Sequence, residues 1–350
     1  MNSTLAAPLR VLLISDGRPG HFNLSEGIVA AVARRRPVEV HRLDVRRPRW
    51  IPGWTMAVLT NAGISPVRLL QSLYGITEEG LGQPQLIVSA GGNTLSASIA
   101  AARLTKAPNI FYGSLRRFAP RDFALVMTSY AADANAPNRL MWLKPSKLDP
   151  ADHPCATNSR SAAISATAPQ NLGLIVGGDA GTVRYTGDDW DKLMGLLEAC
   201  SKAWGSRWIV ANAPRTPEAV SNRLAAQTSR PDSPIANFID VRSAGPGTLD
   251  LLLGGSQAVV CTADSSTMLS ETVWMQRPVV AVAPRDFALP ENETAYRDWL
   301  EKNGWSRQMP IDSLTPGTLS AALARIVPIA HNPLDQLAAE LQKRLPGLFS

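Results

Sequence analysis

Short apolar runs that end in glycine-rich or polar loops and lead into helical patterns recur along the whole chain, and few folds accommodate that order. Residues 10–15 form the first run. Asp16-Gly17-Arg18-Pro19-Gly20-His21 closes it, and Leu24, Ile28, Ala31 and Val32 then recur at helical spacing. The order returns at 86–90, followed by Gly91-Gly92-Asn93-Thr94 and a small-residue helix over 95–104. Residues 38–43, 109–112 and 124–127 also read as strands. Runs this short suit parallel strands buried on both faces, and their alternation with helices implies βαβ construction. Near 149–167 the texture turns to Pro, Ser, Ala, Asn and His without periodicity, which predicts a linker. The rhythm restarts at 171–176 with Gly177-Gly178-Asp179 and an amphipathic helix over 188–204. Strands at 208–211, 238–241, 258–261 and 278–282 and a last helix at 334–345 follow.

At 350 residues the chain exceeds what one core usually serves. The expectation is an α/β protein of two Rossmann-like domains facing across a cleft. Residues 1–160 and 161–333 would be the two domains, with 334–350 packing back on the first. Every polar loop above follows a strand, the end at which such sheets bind ligands.

The balance of 45% hydrophobic and 18% charged residues is that of a globular protein. The formal charge of +6 favours anionic partners. Cys155, Cys200 and Cys261 make neither a CxxC pair nor a zinc spacing, so no metal is expected. The N-terminus lacks the pattern of a secretory signal, and no apolar run approaches the roughly 18 residues of a membrane span. A cytoplasmic protein, peripheral on the inner face of the membrane, is expected. GxSxG, GxxxxGK[ST], HExxH and the nucleic-acid motifs are absent, which argues against a serine hydrolase, a P-loop NTPase, a zinc protease and nucleic-acid binding.

The segment from Thr262 to Glu271 carries the most chemistry. A strand ends at Thr262, and Asp264 or Ser265 can cap the next helix. A helix start suits a diphosphate, with Ser265 and Ser266 adding hydroxyls. Glu271 lies roughly 10 Å further along, where it could accept bonds from ribose hydroxyls. The same residues also read as an ordinary capped helix with an incidental glutamate. At the first loop, Gly20 lets the backbone approach a ligand closely, and His21 could act as general base with Asp16 orienting it or taking that role itself. A surface histidine at a helix start is the plain alternative. In the second half, Gly177, Gly178 and Asp179 and the loop Arg215-Thr216-Pro217 could hold the donor, Arg215 by pairing with a phosphate. Gly91, Gly92, Asn93 and Thr94 form a comparable loop that would meet acceptor or phosphate. Arg47, Arg49, Trp50 and Trp54 beside an apolar stretch suit a lipid headgroup interface, or a packed insertion with basic flanks.

These residues carry a resemblance. Asp16-Gly17-x-x-Gly20-His21, Gly177-Gly178-Asp179, Arg215-Thr216-Pro217 and Thr262-Ala263-Asp264-Ser265-x-x-Met268-x-x-Glu271 resemble the ELM-type/GtrOC-type glycosyltransferase family across nearly the whole chain. That family looks like GT-B transferases, among them the membrane-associated enzyme that adds GlcNAc to the lipid-linked peptidoglycan precursor. The resemblance implies that Ser265, Ser266 and Glu271 hold the nucleotide part of the donor and that His21 lies near the acceptor. The chain departs from it at Asn212-Ala213-Pro214, where a basic residue is missing, and at Gly113-Ser114-Leu115-Arg116-Arg117, which replaces a Gln- and Pro-containing segment.

The expected function is transfer of a sugar from a nucleoside diphosphate sugar to a lipid-linked or glycolipid acceptor of the cell envelope. It would need no cofactor or metal, with an anionic membrane surface as a further partner and no nucleic acid. A nucleotide-sugar 2-epimerase and an inert, membrane-associated ELM-type scaffold are the alternatives.

Overall fold

The computed structural model describes residues 7–48, 50–131, 136–153, 169–245 and 249–350. It divides into two compact units, Met1–Lys147 together with Pro333–Ser350, and Leu148–Asn332.

In the first unit the strands are β1 (Leu9–Ser15), β2 (Val38–Asp44), β3 (Leu86–Ala90), β4 (Asn109–Tyr112), β5 (Leu125–Thr128) and β6 (Arg139–Met141). They pair in parallel in the order β2-β1-β3-β4-β5-β6. Every residue of β3, β4 and β5 is buried, which is why these segments are continuous apolar runs, whereas edge strand β2 is largely exposed. Helices α1 (Pro19–Ala33), α2 (Gly53–Asn61), α3 (Pro66–Tyr74) and α4 (Leu95–Thr105) belong to this unit. From β1 the chain goes one way to β2 and later returns to the other side of β1 as β3. The loops after β1 and β3 therefore diverge and leave a crevice at the carboxyl ends of the strands.

The second unit repeats the plan. Its strands are β7 (Asn171–Val176), β8 (Arg207–Asn212), β9 (Ile235–Ile239), β10 (Ala258–Thr262), β11 (Val279–Ala283) and β12 (Ser306–Pro310). Their parallel order, β12-β11-β10-β7-β8-β9, reverses direction between β7 and β10. Between them run α5 (Gly187–Trp204), α6 (Glu218–Thr228), α7 (Val241–Ala244), α8 (Leu249–Gly255), α9 (Ser266–Trp274), α10 (Glu291–Lys302) and α11 (Pro316–Leu323). Helix α5 starts in a capping box of Thr186 and Asp189 and stops at Gly205, whose φ of 71° is left-handed. Its buried face, Leu193, Leu196 and Leu197, packs with Trp208 and Val210 of β8 in the core.

Strand β9 lies earlier than the expected 238–241. Asp240 instead accepts from the Arg242 amide and caps α7, so the chain has already turned there. The division between units falls at 147/148, at the start of the compositional change over 149–167 and ahead of the expected boundary at 160/161. Leu148 is tied into the second unit because its carbonyl accepts from the Trp274 indole N–H at 2.9 Å. Most of the expected linker, 154–167, lies outside the described residues. Finally α12 (Pro333–Arg344) joins the first unit by packing on α1, burying Leu337 and Leu341, with Arg34 Nε 3.1 Å from Asp335 Oδ1. No helix among the described residues is long and apolar enough to cross a membrane.

Candidate functional site

Each sheet gathers candidate site residues at its point of reversal. In the first unit, the loop after β1 and the loop after β3 meet around Asp16. Its side chain is nearly closed to solvent, 2% exposed. Its carboxylate accepts from Nδ1 of His21 through both oxygens, at 3.1 and 3.0 Å, and from Nδ2 of Asn93 at 3.0 Å. With Nδ1–H committed to Asp16, Nε2 of His21 carries the lone pair. Pro19 opens α1, so Gly20 and His21 lie in its first turn. The His21 ring rests on Gly91, where φ is +85° and an added Cβ would come within 2.1 Å of Nδ1. Thr94 is a structural member of the turn: its hydroxyl donates to the Gly91 carbonyl at 2.9 Å.

In the second unit the loops after β7, β8 and β10 interlock. The Gly177 amide donates to Thr262 Oγ1 at 2.7 Å, and that hydroxyl donates to Asp264 Oδ1 at 2.7 Å. Arg215 Nη2 donates to Asp264 Oδ2 at 2.8 Å. The Asp264 side chain is fully shielded, while half of Arg215 is exposed. Arg215 is thus neutralised by Asp264 and still faces solvent. Thr216 pins the same loop, donating to the Val176 carbonyl at 2.7 Å and accepting from the Ala213 amide at 2.9 Å. A Cβ on Gly178 would meet the Arg215 carbonyl at 2.1 Å. Asp179 accepts from the Tyr185 amide at 3.0 Å.

Helix α9 begins at Ser266. Of the two possible caps, Ser265 is the one used: its hydroxyl accepts from the Met268 amide at 3.4 Å, whereas Asp264 is spent on Thr262 and Arg215. The carboxyl group of Glu271, further along α9, has no hydrogen-bond or ion-pair partner among the described residues. It keeps some contact with solvent, yet the protein packed around it dominates, and burial pushes its carboxyl up to about 7.

A cavity of about 310 Å³ opens in the first unit beside Asn93, lined among others by Arg47, Trp54, Tyr74, Gly92, Arg116 and Arg117. Arg47 donates to the Ile51 carbonyl at 3.0 Å. Trp50 and Trp54 are 78% and 56% exposed. Arg49 lies outside the described residues. The composition of this segment allowed a packed insertion, and Ile51, Met56 and Ala57 do pack inward while the tryptophans remain outside.

Sequence reasoning missed several residues that shape these sites. Tyr185 donates to the Val282 carbonyl and accepts from the Ala263 amide, at 3.0 and 2.9 Å. Buried Arg297 of α10 donates to the Ala263 carbonyl at 2.8 Å, fixing the loop from the other side. No local pattern marks either residue, because their partners are backbone groups far along the chain. Tyr74, held by Ser96 and Arg47, is likewise invisible in the sequence; burial pushes its phenol up to about 12, against the opposing pull of those two partners.

No curated protein matches the sequence. Solved structures do match in fold. The UDP-GlcNAc 2-epimerase from Neisseria meningitidis bound to UDP-GlcNAc is 12% identical, with 97% of this chain and 100% of that one covered and a TM-score of 0.53. MnaA of S. aureus with UDP is 11% identical over 98% of each chain, with a TM-score of 0.53. MurG of Acinetobacter baumannii is 15% identical over 96% of this chain and 100% of that one, with a TM-score of 0.50. The fold is thus the two-domain α/β GT-B fold that glycosyltransferases and UDP-GlcNAc 2-epimerases share. The model of the family described as Mitochondrial fission ELM1 matches residues 19–345, nearly the whole sequence, and the chain belongs to that family.

Proposed function

We propose that the protein is a glycosyltransferase that moves a sugar from a nucleoside diphosphate sugar to a lipid-linked or glycolipid acceptor of the cell envelope. The observation that carries this reading is Glu271, a desolvated carboxylate with no partner among the described residues, on a helix whose start follows a strand at the point of sheet reversal. Such a carboxylate is stabilised by hydroxyl donors, and a ribose supplies a vicinal pair. The diphosphate then takes the start of α9 with Ser265 and Ser266, where amides and the helix dipole favour negative charge. Gly177 and Gly178 allow close backbone approach, while Asp179, Thr216, Thr262 and Met268 complete the donor loops. Arg215 divides its charge between Asp264 and the leaving diphosphate.

Chemistry belongs to Asp16 and His21. Nε2 of His21 takes the proton of the acceptor hydroxyl, and Asp16 holds the opposite ring nitrogen and stabilises the imidazolium that forms. The hydroxyl oxygen bonds to the anomeric carbon. The bond from that carbon to the diphosphate breaks, and its electron pair leaves on the diphosphate. Gly20 leaves the first turn of α1 open beside this base. The exposed Trp50 and Trp54, flanked by Arg47, are the reading's contact with an anionic membrane face.

A second reading, a nucleotide-sugar 2-epimerase, draws on the fold likeness to the UDP-GlcNAc 2-epimerase described above. Incubating the protein with a panel of nucleotide sugars, with and without lipid extract, separates the two. Nucleotide release that requires the extract is expected. Isomerised donor without acceptor would replace transfer by epimerisation. No product and no calorimetric nucleotide binding would leave an inert scaffold and sink both.

A further inference from the structure

The cavity beside Asn93 is cationic: Arg47, Arg116 and Arg117 line it, and among the described residues no carboxylate does. Neither Arg116 nor Arg117 has a side-chain partner among the described residues. Arg116 is held in a left-handed conformation, φ 55°, unfavourable for a side chain of this kind. Its guanidinium lies over Gly92, where an added Cβ would come within 2.9 Å of Cζ. Arg47 lies over Gly53 in the same way, with Nη1 3.3 Å from where a Cβ would stand. Glycines at both places leave room for guanidinium groups to lie on the cavity wall.

Part of the lining is apolar: Trp54, Met56, Ala57 and Phe118 belong to it, and Trp54 is exposed, as are Trp50 and Val58 near it in sequence. At about 310 Å³ the space is at the small end for a ligand pocket, too small for a whole nucleotide sugar and adequate for a compact anionic group with the start of a chain. Asn93 lines the cavity and also donates to Asp16, so an occupant would lie beside the Asp16–His21 pair.

We propose that this cavity binds the phosphate or diphosphate headgroup of an amphiphile, with the apolar chain leaving across Trp54. The proposal rests on the transferase reading for its role: the headgroup belongs to the acceptor, and the arginines hold that acceptor's hydroxyl near His21. Arg116 and Arg117 supply planar donors for the phosphate oxygens. Tyr74 and Ser96 provide neutral hydroxyls at the inner wall.

Binding to the full chain, without any nucleotide sugar, tests it. Farnesyl diphosphate, inorganic pyrophosphate and farnesol are titrated, following Trp fluorescence and calorimetry. Farnesyl diphosphate is expected to bind tightest and to weaken with salt. The double variant Arg116→Asn and Arg117→Gln should weaken it at least tenfold; asparagine tolerates the left-handed backbone. Gly92→Ala, which keeps both charges but displaces the Arg116 guanidinium, should weaken it severalfold and guards against misfolding of the double variant. Unchanged binding in both variants overturns the proposal. Farnesol binding as well as farnesyl diphosphate would remove the headgroup from it. Pyrophosphate binding as well would make the cavity a site for soluble phosphates and overturn the amphiphile. Binding that behaves as expected in a protein that turns over no nucleotide sugar would leave this site standing and remove only the transfer reading.

Discussion

Gly177 and Asp264 occupy adjoining space so closely that a Cβ on the glycine would lie 2.2 Å from Asp264 Oδ1. The Asp264 carboxylate is also the anchor for Thr262 and Arg215. Gly177→Ala should therefore push Asp264 off both partners. A cost of about 1–3 kcal/mol is expected for such overpacking, and nucleotide affinity should fall with it. Urea denaturation and calorimetry measure the two effects. A variant as stable and as tight as wild type would refute the interlocked loop.

Glu271 links pH to both stability and binding. Its folded pKa, about 7, lies above the ordinary value of 4.5, so folding takes up a proton between those values. The stability from this group is fully present below about 4.5 and is lost as pH rises through about 7. The loss is bounded at about 3 kcal/mol and reduced by the group's contact with solvent. Glu271→Gln should thus melt higher than wild type at pH 8 and about equally at pH 5. Nucleotide binding should run the other way. It should strengthen in wild type from pH 6 to pH 8 as the carboxylate forms, and lose that dependence in the variant. Melting curves that are parallel at both pH values would refute the assignment.

Asp16 and His21 should behave as one unit. His21→Ala is expected to lower kcat by about 100- to 10,000-fold, the usual range for losing a general base. Asp16→Asn should cost a comparable factor by presenting the wrong tautomer, and the double variant should be little worse than either. Gly91→Ala tests the same pair without replacing either residue. The Cβ would strike the His21 ring at a left-handed position, so activity and stability should both drop. Additive losses in the double variant would break the dyad into two unrelated residues.

Trp50→Ser and Trp54→Ser should leave the melting temperature nearly unchanged, because both rings are largely exposed. Sedimentation with anionic liposomes at low salt should nevertheless fall severalfold. Equal sedimentation would remove the membrane role from this segment.

The strands were legible because parallel sheets bury both faces. Segments such as Leu86–Ala90 and Ala258–Thr262 have no alternation to misread. The loops that carry Asp16, Gly177 and Thr262 were legible for a related reason: each follows such a run. What the sequence could not decide was how polar groups divide their bonds. Asp264 and Ser265 are both good caps, and only the presence of Arg215 across the loop assigns Asp264 elsewhere. Composition marks the change of unit only as a stretch, 149–167, and the indole bond from Trp274 that ties Leu148 to the second unit has no local signature. Arg116 and Arg117 read as a departure from a family pattern, and nothing local revealed that Arg47 lines the same cavity.

The return of α12 to α1 has a consequence for how the chain is made. The first sheet is synthesised early, but the apolar stripe of α1 meets Leu337 and Leu341 only after the whole of Leu148–Asn332 has been added. The second unit, contiguous in sequence, can close on itself first. A ribosome-bound chain stopped before Pro333 should hold a protease-resistant second unit beside a first unit that is still open to cleavage.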